Sequence, residues 1–260
     1  MIFGTGLGPM ESHEEMFRPL MAEGIRAISP AVVPNNVQNA AAGYTALWLK
    51  ALGPTSTISS GHAAGGAALA YAADQVSLGR ASAVVWLAAD TLTDWVVDWY
   101  RGQGMLERMR VAEGAYAAVL EPLSAARARG VEPLAEIVSW GAAADGLGLG
   151  QADAAGAGIE RAMRSALSRG SMPEKAVKRV WGAGCGLSGI DSGESAAVRR
   201  LFDGGADLEW PLLELGTPVG AAAGLLLGQA LGAGIREPAL LNASSAGGCH
   251  HSLLLRPAAG

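Results

Sequence analysis

Two stretches of the chain follow one plan. Residues 57–89, TISSGHAAGGAALAYAADQVSLGRASAVVWLAA, read as a short β-type run, a glycine corner, a helix of small residues, a Gly-Arg turn and an apolar run. Residues 211–245, PLLELGTPVGAAAGLLLGQALGAGIREPALLNASS, repeat that order. Helices so poor in bulky side chains let sheets approach from both sides, so each is expected to lie sandwiched between layers. Elsewhere apolar β-type runs alternate with helical patterns, which favours an α/β fold with largely parallel sheets. The expectation is a duplicated α/β fold with both small-residue helices in the middle. Pro211–Leu215 reads as the strand opening the second stretch. Thr217 reads as a helix cap, with Pro218 at the first helical position.

Composition narrows the function classes. Half of the 260 residues are apolar and 17% are charged, enough for a sizeable core. A formal charge of −5 with no Lys/Arg run argues against a nucleic-acid surface. The two cysteines, Cys185 and Cys249, have no paired spacing, which fits a reducing cytoplasm better than a disulfide scaffold. The N-terminus lacks the basic and apolar regions of a signal peptide. Leu215–Ile235 is uncharged with glycine at every fourth position, the small-xxx-small pattern of a membrane helix. Ala and Gly dominate it and Gln229 interrupts it, so the buried centre of a globular fold suits it better and no membrane span is expected.

Five motifs in order resemble the condensing enzymes of the thiolase fold, specifically the β-ketoacyl-[acyl carrier protein] synthases. Residues 4–65 (GTGLGPMESHEEMF through TSTISSGHAAG) look like the run that leads to the nucleophile corner. RVAEGAYAAVLEPLSAARARG resembles the end of the first half. VWGAGCGLSGIDSGESAAVRRLF is similar to the loop built on His-Gly-Thr-Gly-Thr, ELGTPVGAAAG to the Gly-His-x-x-Gly-Ala-Ala-Gly helix start, and LLNASSAGGCHHSLLL to the closing turn and strand. The resemblance implies a layered αβαβα fold of two pseudo-repeated halves, residues 1–133 and 134–260. It begins inside the family's first half, without the opening strand and helix that are expected to give that sheet a central strand; either the sequence is a truncated reading of a longer one or another segment fills the gap.

The departures decide what the resemblance implies for function. The family's nucleophilic cysteine falls on His62, and its two catalytic histidines fall on Ala183 and Thr217. Its lysine falls on Leu212, with the acidic partner kept as Glu194, and its gating phenylalanine falls on Ala246. With that set gone, Claisen condensation on this chain alone is not expected, and the chain reads as a non-enzyme. It resembles instead the chain-length factors, cysteine-less subunits that pair with an active ketosynthase. Such a subunit would work as a heterodimer with that ketosynthase, or with itself, and would meet acyl carrier protein. The family pairs through the strand before the nucleophile corner, here Thr57, Ile58, Ser59 and Ser60.

Other readings stay open. His62 can fill space at a vacated corner, act as a general base, or ligate a metal; helix N-terminal charge favours its neutral form. His62, Cys185, Cys249 and His250 map to motifs that converge in the family, so a Cys/His set could serve an acyltransferase or hydrolase of altered mechanism. Zinc is a further option, though no close spacing supports a metal site and strand alternation points His250 and His251 to opposite faces. A stand-alone acyl-binding scaffold is the third possibility. GTGLG at Gly4–Gly8 lacks the spacing of a dinucleotide fingerprint, and no cofactor is expected. Asp191 and Glu194 read as caps on a helix start. DWVVDWY reads as an amphipathic helix packed on the body.

Overall fold

The computed structural model describes residues 1–148 and 150–258. Its first half holds β1 (Ile2–Gly4), α1 (Met10–Glu23), α2 (Ala40–Trp48), β2 (Ser56–Ile58), α3 (Ala64–Ser77), β3 (Val84–Asp90), α4 (Asp94–Gly102), β4 (Gly114–Leu120) and α5 (Leu123–Ala128). The second holds β5 (Glu136–Ala144), α6 (Ala157–Arg169), β6 (Arg179–Trp181), α7 (Ser188–Phe202), β7 (Asp207–Glu209), α8 (Pro211–Leu215), α9 (Ala222–Ala233), β8 (Ala239–Ser245) and β9 (Cys249–Arg256).

The strands form two sheets, ordered β2-β1-β3-β4 and β5-β9-β8-β6-β7. In the first, β1 runs parallel to β2 and β3, and β4 runs antiparallel to β3. The second repeats this with β6, β7, β8 and β9 in the same relations, and adds β5 antiparallel to β9. Helices α3 and α9 lie between the sheets. Leu69 and Leu226 of these helices share one core with Trp86 of the first sheet and Leu241 and Leu253 of the second. On the outer sides, α6 and α7 cover the second sheet, and α2 sets Ala42 against Met1 and Phe3 on the first. The five layers are thus α, β, α, β, α.

Small residues make the middle layer possible. A Cβ at Gly66 in α3 would stand 2.4 Å from the Cβ of Ala243 in β8, closer than any side chain tolerates. Glycine there lets helix and sheet meet at backbone distance. The uncharged segment flagged above lies in this layer, broken into α8, a 3-10 turn at Val219–Ala221 and the buried α9. Among the described residues no helix is long and apolar enough to cross a membrane.

Three expectations need correction. Pro211–Leu215 is helix α8 rather than a strand: five residues, apolar but for Glu214, are too few for a period to separate the two, and Pro211 suits a first helical turn. The strand of that stretch is β7, just before it. Thr217 does not cap α9, which begins at Ala222 after the 3-10 turn; the Thr217 backbone instead pairs with Arg110 and Ala112. The third concerns the opening strand, expected to be central. The centre of the first sheet is filled by β1 and β3, and the position with no strand is the outer edge beside β4, where the second sheet has β5.

Candidate functional site

The ends of β2, β6 and β8 and the starts of α3 and α9 meet around one cavity. His62 stands at the corner between β2 and α3. Gly61 before it holds φ of +57°, and a Cβ there would press within 2.6 Å of Ser245 Oγ. Glycine at this corner therefore serves both the turn and the closing segment after β8.

The cavity measures about 10 Å³ and is lined by His62, Ala183, Thr217 and Cys185, with Leu212 and Ser244 among their neighbours. The three positions that depart from the ketosynthase set thus come together as expected. The space admits about one water molecule. His62 Nε2 and Thr217 Oγ1 are shut off from solvent without a hydrogen-bond partner. Burial drives the His62 pKa down to about 4, so the imidazole is neutral near pH 7 and a weak base. Burial is the cause. Cys185, 2% exposed, has its thiol pushed up to about 12, chiefly by burial and further by Asp191 and Glu194. A thiol so held gives no thiolate at neutral pH. At neutral pH His62 and Cys185 therefore both face the cavity uncharged.

The loop carrying Ala183 and Cys185 hangs on two carboxylates of α7. Glu194 is wholly buried and accepts hydrogen bonds from the Ala183 and Gly184 amides, Trp210 Nε1 and Asn242 Nδ2. Burial raises its pKa, and these four donors oppose the rise. Leu212 is buried too, and the four groups that donate to Glu194 are neutral N–H groups. Asp191 accepts from the Cys185 and Gly186 amides. These residues hold the preceding loop and do not cap the helix, as their spacing suggested, because α7 already begins at Ser188.

The remaining candidates lie apart from the cavity's lining. Cys249 Sγ sits 3.5 Å from Nε2 of His251, two residues along β9 on the same face. Burial raises the Cys249 thiol; burial, with His250 beside it, lowers the His251 imidazole, so the pair is neutral. His250 points to the opposite face, as alternation requires. Its Nδ1 lies 3.0 Å from Ser244 Oγ, and its Nε2 lies 3.0 Å from Asp145 Oδ2, all three side chains being buried. Among the described residues no three His, Cys, Asp or Glu side chains cluster to hold a metal ion.

Asp90, at the end of β3, escaped the sequence reading. It is 4% exposed and accepts from Thr5 Oγ1 at 2.5 Å and from the amides of Gly6 at 2.8 Å, Leu7 at 3.0 Å and Gly220 at 2.6 Å. The GTGLG loop is thereby a carboxylate-bound turn, and the same carboxylate fixes the approach to α9. An acidic residue closing an apolar strand was the available signal.

Residues 1–126 match the family model for the N-terminal domain of β-ketoacyl synthase. The chain is 30% identical over 224 residues to nodulation protein E of Rhizobium leguminosarum bv. trifolii, covering 77% of this chain and 54% of that protein. It belongs to the thiolase-type ketosynthase family. It is also 27% identical over 217 residues to 3-oxoacyl-[acyl-carrier-protein] synthase 2 of Staphylococcus aureus, covering 76% of this chain and 54% of that one. The chain thus spans about half the length of the curated relatives it matches. Among solved structures, the ishigamide ketosynthase/chain length factor superposes with a TM-score of 0.87 at 20% identity, over 98% of this chain and 74% of that one. A type II polyketide synthase acyl-carrier protein in complex with its ketosynthase gives 0.86 at 19% identity, over 98% and 78%. The ketosynthase fold therefore extends through nearly the whole chain.

Proposed function

We propose that this chain is a catalytically degenerate ketosynthase-like subunit that pairs with an active, cysteine-bearing ketosynthase in fatty acid or polyketide biosynthesis. The observation that carries this reading is the closed cavity. His62, Ala183 and Thr217 replace the reactive set around a space too small for an acyl group, while the glycine corner and both central helices are kept. A subunit needed for its shape has use for those features and none for the chemistry.

The surface supports a pairing role. Strand β2, with Thr57 and Ile58, is an edge of its sheet and leads into Ser59 and Ser60 before the corner. Next to it in sequence, α2 and the residues after it expose Tyr44, Leu47, Trp48 and Leu52, the last two at 91% and 100%. A groove of about 830 Å³ runs among Pro34, Val37, Tyr44, Leu47 and Leu52. An open strand edge beside a wide apolar surface is the combination a protein partner covers. Acyl carrier protein would meet the assembled pair.

Reconstitution tests the reading. An active ketosynthase assayed with malonyl- and acyl-loaded carrier protein, with and without this chain, should give products of altered length or yield only when the chain is present. The chain alone should give none. Condensation by the chain alone, or acyl transfer that iodoacetamide treatment of Cys249 abolishes, would overturn it in favour of an enzyme of altered mechanism.

A further inference from the structure

Three polar atoms around the cavity have no hydrogen-bond partner among the described residues. His62 Nε2, Thr217 Oγ1 and Asn242 Oδ1 are each shut off from solvent, and all three residues line the same space. They come from distant parts of the chain: the corner before α3, the approach to α9 and the middle of β8. Thr217 and Asn242 are each 1% exposed. Buried polar groups in native proteins are nearly always bonded, so three around one space call for a shared partner.

The chemistry of that partner follows from the three groups. Asn242 Nδ2 lies 2.9 Å from Glu194 Oε1, which also accepts from the Ala183 amide at 3.0 Å. The amide nitrogen therefore faces the carboxylate, and Oδ1 is the atom left over. Oδ1 can only accept. Thr217 Oγ1 can donate or accept, and Nε2 of the neutral His62 does one or the other according to its tautomer. Ser244 Oγ, on the same wall, does not compete, since it lies 3.0 Å from His250 Nδ1. The partner must thus donate at least once and accept as well. It is also uncharged: the wall carries no Lys or Arg to hold an anion, and among the described residues no three metal-ligating side chains cluster to hold a cation. A volume of about 10 Å³ restricts it to one small molecule.

We propose that the cavity is a binding site for a single water molecule, which donates to Asn242 Oδ1 and joins it to Thr217 Oγ1 and His62 Nε2. Its second hydrogen and its lone pairs serve Thr217 and His62 in either tautomer of the imidazole. The bridge ties the corner before α3, in the first half, to α9 and β8 in the second. It forms in the chain by itself, so it stands apart from the pairing role proposed above.

A high-resolution crystal structure of the full chain is the first test. The expected result is one density peak in the cavity, about 2.6–3.2 Å from each of the three atoms. Oxygen-17 magnetic relaxation dispersion follows the same molecule in solution. Thr217→Leu, whose side chain occupies the space, should lower the count of long-lived waters by one. Thr217→Val, which keeps the shape without the hydroxyl, should shorten the residence time roughly tenfold, and Thr217→Ser should leave it unchanged. No peak in the cavity, a peak within reach of only one of the three atoms, or direct bonding of His62 Nε2 to another side chain would overturn the proposal. So would an unchanged water count in folded Thr217→Leu, or an unchanged residence time in Thr217→Val.

Discussion

His62 is a buried imidazole, and pH should expose the cost of charging it. The imidazole is held neutral by burial, so the unfolded chain takes up a proton near pH 6.5 and the folded chain only near 4. Its contribution is fully present above pH 6.5 and lost as pH falls toward 4, up to about 3 kcal/mol. Urea unfolding of the wild type and His62→Leu at pH 7.5 and 4.5 should show the variant losing less stability on acidification; equal losses would contradict the account. Asp90→Ala should cost about 3 kcal/mol by leaving four donors, two of them buried, without their acceptor, measured the same way at neutral pH. Trp210→Phe removes one of the four donors to Glu194 and should cost about 1–3 kcal/mol. That His62, Ala183 and Thr217 share one cavity was legible because the motifs around them recur in order along the chain. The hold of Asp90 on Thr5, Gly6, Leu7 and Gly220 could not, since its partners lie 83 to 130 residues away and no local spacing records them.

At the level of elements, periodicity and glycine placement made α3, α9, β3 and β9 legible, and both central helices lie where their small residues required. The misreading of α8 came from its length, since five residues fit a strand or a helix turn equally well. Strand β7 was missed because Asp207–Glu209 is short and acidic, and joins the sheet only through β6. The exposed side chains of α2 were equally hidden, because apolar residues in a helical pattern imply a buried face whether or not the chain itself covers it. Replacing Trp48 and Leu52 by lysine should leave folding unchanged within about 0.5 kcal/mol, both being solvent-exposed. The same double variant should weaken association with a ketosynthase, which pull-down against the wild type would detect. Tight association by the variant would place the interface elsewhere.

The molecule as a whole keeps the ketosynthase layers around a cavity of about 10 Å³ beside His62. Both central helices touch both sheets, so losses at His62, Ala183 and Thr217 leave the core of Leu69, Trp86, Leu226 and Leu241 undisturbed. On the proposed reading, that separation of scaffold from site would let one half of an assembly lack reactive residues and still support the other. Light scattering on the chain co-expressed with a cysteine-bearing ketosynthase from the same genome tests this most directly. The account predicts a one-to-one complex, with the chain poorly soluble or aggregated when expressed by itself. A chain that stays a stable monomer and joins no such ketosynthase would contradict it.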